Sequence, residues 1–129
     1  MDIRQTTPPE AYATLGREPG AVYLDVRTEQ EFEAGHPAGA CNVPVVLFDP
    51  AGGPGKPNPE FLAVVSRTIP PGTKLLVGCQ AGGRSQHACE LLARAGYTDL
   101  TNVRGGFGGT PDVPGWRAAG LPVEQGKGR

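Results

Sequence analysis

Lys74-Leu75-Leu76-Val77-Gly78-Cys79-Gln80-Ala81-Gly82-Gly83-Arg84-Ser85 joins an apolar run to a glycine-rich turn through one cysteine. The run shows no polar alternation, which predicts a strand buried on both faces. A helix is predicted from Arg84 or Ser85 to Ala95, closed by Gly96. Ligands of open α/β sheets bind beyond the carboxyl ends of the strands, which is where Cys79 would stand. The glycines permit positive φ, so successive backbone N–H groups can face one point as an anion-binding nest. The helix N-terminus adds partial positive charge and Arg84 a full one. Such a setting favours a thiolate and makes Cys79 a candidate nucleophile. A cysteine at an ordinary strand end would be only a small buried hydrophobe.

The flanking elements follow the same logic. Thr7-Pro8-Pro9-Glu10 has a capping-box pattern and predicts a helix from Pro8 to Leu15, stopped by Gly16. Ala21 to Val26 reads as a buried strand. Thr28-Glu29-Gln30-Glu31 is a second capping box, opening a helix that Gly35 ends. Cys41-Asn42-Val43 reads as a short strand, and Leu47 to Asn58 as a loop without periodicity. Asn58-Pro59-Glu60 opens a helix to about Arg67, Pro70-Pro71-Gly72 turns the chain, and Leu100 to Val103 is the last strand. Gly105 to Gly115 is a second loop, followed by a short helix from Trp116 to Ala119. Residues 124–129 are expected to fray. Strands alternating with helices predict a mostly parallel sheet covered on both faces.

The 129 residues suit one domain, with a core from about 8 to 123. The 20 glycines and 14 prolines come near the ~25–30% at which aperiodic chains look disordered. Most of them stand at helix ends and turns, so disorder is expected only in 50–57, 108–115 and the tail. The net charge is -1, the basic residues are scattered and aromatics make up 6%, which argues against nucleic acid or an anionic membrane as partner. No apolar run approaches the ~18–20 residues of a membrane span. Met1-Asp2-Ile3-Arg4 begins no basic-then-apolar leader, so a cytoplasmic location is expected. Three cysteines without a CxxC pair predict neither a disulfide framework nor a zinc site, and no metal is expected.

Four motifs in order resemble those of single-domain rhodaneses, proteins similar to thiosulfate sulfurtransferases. Leu24-Asp25-Val26-Arg27-Thr28-Glu29-Gln30-Glu31-Phe32 is similar to D-V-R-x-x-x-E-F. Gly35-His36-Pro37-Ala38-Gly39-Ala40-Cys41-Asn42-Val43-Pro44 is similar to G-H-x-x-G-A-x-N-V-P. Cys79 to Ser85 is similar to the active loop C-x-x-G-x-R-S. Gly105-Gly106-Phe107 and Trp116-Arg117-Ala118-Ala119-Gly120-Leu121-Pro122-Val123 are similar to the closing G-G-[FY]…W-x-x-x-G-[LFY]-P. The resemblance runs from about Pro8 to Val123. It implies a rhodanese-like α/β fold with a five-stranded, mostly parallel central sheet and helices on both faces.

The resemblance also implies chemistry. Cys79 would attack the sulfane sulfur of a small donor such as thiosulfate, carry it as a persulfide, and yield it to cyanide, a small thiol or a protein thiol, with no cofactor. Arg84 would be an anion ligand, and Gln80, Ala81, Gly82, Gly83 and Ser85 would cradle the sulfur with their N–H groups. A sulfur-relay module loaded by a protein donor is the alternative. Phosphatase or arsenate reductase activity is the weaker one, because the related enzymes place five residues between Cys and Arg, and here there are four. Asp25, Arg27 and His36 are expected to give structural support, Cys89 and Cys41 to pack in the core, His87 to face solvent, and Glu29, Glu31 and Glu33 to form a helix start and solvated face. The chain departs from the family pattern in a longer 47–58 loop and in the eight residues between Phe107 and Trp116. Gly78, before the cysteine, offers no side chain to tune it.

Overall fold

The computed structural model describes residues 3–127. In chain order the elements are β1 (Ile3–Thr6), α1 (Pro8–Arg17), β2 (Val22–Asp25), α2 (Glu29–Ala34), β3 (His36–Pro37), β4 (Cys41–Asn42), β5 (Val46–Leu47), β6 (Lys56–Pro57), α3 (Phe61–Thr68), β7 (Leu75–Gly78), α4 (Gly83–Arg94), β8 (Leu100–Val103) and β9 (Val123–Glu124). The central sheet has five strands in the order β1-β8-β7-β2-β4, and every pairing in it is parallel.

The inner strands β7 and β8 are buried along their whole length and β2 nearly so, which explains the apolar runs of β2 and β7. Leu24, Leu75, Val77 and Leu100 meet Phe61 and Val65 of α3 and Ala88, Cys89 and Leu92 of α4. Tyr23, Leu76 and Val103 face the other way, onto Ala11 of α1, Phe32 of α2 and Trp116. Fully burying one such side chain stabilises by roughly 1.5–3 kcal/mol, so the two clusters dominate the fold. Trp116 packs edge-on against Tyr23 at 5.4 Å between ring centroids. Its indole N–H donates to the Pro122 carbonyl. Tyr23 also accounts for Gly78, since a Cβ there would overlap the Tyr23 hydroxyl. Burial pushes the Tyr23 phenol well above its ordinary range.

The α2 capping box forms as read: Glu31 N–H donates to Thr28 Oγ1, and Thr28 N–H to Glu31 Oε1. The box before α1 does not. Thr7 Oγ1 donates to the Glu10 carboxylate instead, and the helix runs through Gly16 to Arg17. Gly16 keeps a negative φ, so it does not stop the helix. β1 is a finding without a sequence signal: as an edge strand it is only half-buried and offers Ile3 as its one large apolar side chain.

Four segments also differ from expectation. The 47–58 loop contains a hairpin, with Val46 opposite Pro57 and Leu47 opposite Lys56. Residues 108–115 are tied down by backbone hydrogen bonds: Gly109 N–H donates to Gly105 O, and Thr110 N–H to Val113 O. Trp116 to Ala119 forms turns rather than a helix. The tail does not simply fray, because β9 pairs with β3; the last expected frayed residues, 128–129, lie outside the described ones. Among the described residues no helix is long and apolar enough to cross a membrane.

Candidate active site

Parallel register sets the site. Asp25 lies opposite Gly78, and Val77 opposite Asn102. The carboxyl ends of β2, β7 and β8 therefore stop side by side, and Cys79 emerges between them. It is 2% exposed.

The loop is oriented by its carbonyls. Those of Cys79, Gln80 and Ala81 accept from the backbone N–H groups of Phe107, Gly108 and Gly105. A trans peptide whose carbonyl faces one way presents its N–H the other. Gly82 N–H duly donates to Cys79 Sγ at 3.1 Å, and Ser85 Oγ lies 3.4 Å from the same sulfur. Gly82, at φ 129°, caps the 12-residue α4, so the sulfur faces the positive end of that helix. Gly106, at φ 49°, must also be glycine, because a Cβ there would overlap the Cys79 carbonyl. Gly83 is different: it has ordinary helical φ with open space around it, so its lack of a side chain is not demanded by the cradle.

Arg84 differs from the open anion ligand expected of it. Its Nη1 and Nη2 donate to Glu31 Oε1 and Oε2 at 2.7 and 3.0 Å, bracing the loop against α2. Glu31 is accordingly not part of a solvated face, and its role was missed. Partial burial pushes its carboxyl up, but the Arg84 hydrogen bonds and the Thr28 backbone and hydroxyl donors outweigh this and hold it at about 2. The same pairing raises Arg84.

Asp25 and Arg27 form a buried ion pair, with Nη2 to Oδ2 at 2.8 Å and Nε to Oδ1 at 3.0 Å. Arg27 also donates to the Gly35 carbonyl and reaches Gln80 Oε1 at 3.4 Å, and it stacks on Phe107. The pair thus supports the loop from below. His36 stands apart: its Nδ1 lies 2.7 Å from the Phe32 carbonyl, and its ring stacks on Phe32. It ties β3 to α2. Cys89 is fully buried and Cys41 half-buried. Burial, with smaller contributions from Glu90 and Cys79, pushes the Cys89 thiol to about 12. His87 is exposed.

An open cleft of about 470 Å³ beside the loop is lined by Thr28, Val46, Phe48 and Arg84 among others. A polar one of about 310 Å³ on its other side is lined by Gln5, Ala81, Gly82 and Arg104 among others. Neither is lined by Cys79 itself. Among the described residues no group of three or more His, Cys, Asp or Glu could hold a metal.

The description of the rhodanese-like domain matches residues 7–110. The chain belongs to the rhodanese-like family. It is 42% identical over 105 residues to thiosulfate sulfurtransferase 16, chloroplastic, of Arabidopsis thaliana, covering 81% of each protein. It is 38% identical over 120 residues to the senescence-associated protein DIN1 of Raphanus sativus, covering 93% of this chain but 61% of that one. Among solved structures, Rv0390 from M. tuberculosis superposes with a TM-score of 0.83 at 33% identity, over 98% of this chain and all of that one. For this rhodanese-like domain, relatives named thiosulfate sulfurtransferase support sulfurtransferase activity at the level of the family.

Proposed function

We propose that this rhodanese-like domain is a sulfurtransferase with Cys79 as nucleophile and sulfur carrier. The observation that carries the reading is the Gly82 N–H donated to Cys79 Sγ at the N-terminus of α4. A donor aimed at sulfur from a helix end stabilises a thiolate, and equally the terminal anion of a persulfide seated there. The Cys79 thiolate attacks the sulfane sulfur of thiosulfate. A sulfur–sulfur bond forms, the bond to the sulfonate sulfur breaks, and sulfite leaves with the electron pair. In the second half-reaction cyanide or a thiolate takes the outer sulfur and regenerates the thiolate, which predicts ping-pong kinetics.

Arg84 serves this chemistry chiefly by fixing the loop through Glu31. The four residues between Cys79 and Arg84 make a cradle suited to one sulfur atom, which argues against phosphate or arsenate chemistry. Intact mass after thiosulfate treatment tests the reading. The protein should gain about one sulfur atom, ~32 Da, reversed by cyanide and absent in Cys79→Ser. Gain only from a protein persulfide donor would replace the thiosulfate reading with a sulfur relay, and no gain from either would refute both.

A further inference from the structure

Ser85 Oγ is fully buried, carries one hydrogen, and lies within reach of three acceptors. These are Asn102 Oδ1 at 2.5 Å, the Gly82 carbonyl at 3.1 Å and Cys79 Sγ at 3.4 Å. One proton serves only one of them, and the shortest contact is to Asn102. In that state Ser85 offers the sulfur only lone pairs, which suits a thiol donating its own proton to Oγ. A thiolate or persulfide needs the reverse, with the hydroxyl pointing at sulfur.

Asn102 can supply that reversal. It is 4% exposed, on the face of β8 toward α4. Its Nδ2 donates to Gln5 Oε1 at 2.9 Å, and Gln5 Nε2 donates to Gln86 Oε1 at 2.8 Å. The two ends of an amide are nearly equal in size, so turning Asn102 by 180° changes no packing and exchanges its donor for its acceptor. Asn102 Nδ2 then donates to Ser85 Oγ, and the Ser85 proton is free for sulfur. Gln5 is exposed, so turning its own amide to donate to Asn102 Oδ1 meets no packed neighbour in the core. No other polar side chain is bonded to Ser85 among the described residues.

We infer that Asn102 is a positioning residue for Cys79: its side-chain amide, acting through Ser85, sets whether the one hydroxyl proton points at the sulfur. The inference rests on Cys79 being the sulfur carrier but goes beyond the loop itself, to a residue on the neighbouring strand. The exposed Gln5 and the half-buried Gln86 link this pair to the surface, beside the cleft lined by Ala81 and Gly82.

The test is the pH dependence of Cys79 alkylation by iodoacetamide, read by peptide mass so that Cys41 and Cys89 do not contribute. Asn102→Asp presents only acceptors to Ser85 and should raise the pH of half-maximal rate by about one unit, the size of a charge-assisted hydrogen bond. Asn102→Leu removes donor and acceptor together and should raise it by about half a unit. In a Ser85→Ala background the leucine shift should shrink to less than half, while the aspartate shift keeps only the part its own charge exerts directly on the sulfur. Shifts of equal size in both backgrounds, or no shift from either single substitution, overturn the inference. The leucine variant carries the same cycle if the buried aspartate does not fold. Alkylation needs no sulfur donor, so failure of thiosulfate to load Cys79 counts against the proposed function and leaves this result to stand on its own.

Discussion

Replacing Glu31 with Gln keeps the size of the side chain and one oxygen for the Thr28 N–H, but removes the charge that holds Arg84. Two charge-assisted hydrogen bonds, at 2.7 and 3.0 Å, lose their anionic partner. Displacement of the Glu31 carboxyl from 4.5 to about 2 corresponds nominally to about 3.4 kcal/mol. The two side chains are 33% and 30% exposed, so solvent screening brings the expected cost of Glu31→Gln to about 1–2 kcal/mol at pH 7. The sign of the pH dependence follows from a depressed folded-state value. Stabilisation is complete above about 4.5, where the unfolded chain is also ionised, and drains away as pH falls through about 2. Urea unfolding of both proteins between pH 7 and pH 3 measures this. The gap between them should fall by more than half by pH 3. A gap that stays constant over that range would refute the ion pair as the source of the stabilisation.

Two further outcomes follow from the geometry of the loop and the core. Gly106→Ala should destabilise by about 3 kcal/mol or more, since its Cβ meets the Cys79 carbonyl, whereas Gly82→Ala, strained only through φ, should cost about 1–2 kcal/mol; urea midpoints rank the two, and the reverse order would contradict the packing. Cys89 should resist alkylation at pH 8 in the folded protein and react at once in urea, because burial is the main cause suppressing its thiolate; rapid labelling of folded protein at Cys89, checked by peptide mass, would contradict that.

Much of the site was readable from short-range pattern. Cys79 to Ser85 is contiguous, so the strand, turn and helix that shape it follow from local residue preferences. Asp25 and Arg27 are two apart, and their pairing gives the structural support expected of them. Glu31 was half legible. Its capping partner is three residues away, whereas Arg84 is fifty-three away and no local rule joins them. Asn102 gave no signal beyond a polar residue in a short strand; a polar side chain in a run otherwise buried on both faces was the only hint. β1 was invisible because an edge strand buries too little to impose a pattern.

The sequence by itself determined the alternation of strands and helices, the α2 cap and the cysteine loop, since each depends on neighbours within a few residues. The tertiary structure decided the partners: Glu31 for Arg84, Asn102 for Ser85, and residues 105–108 for the loop carbonyls. The physical reason is the parallel sheet. Its crossovers bring β2, β7 and β8 to a common edge from distant parts of the chain, and only there do these groups come within hydrogen-bonding distance.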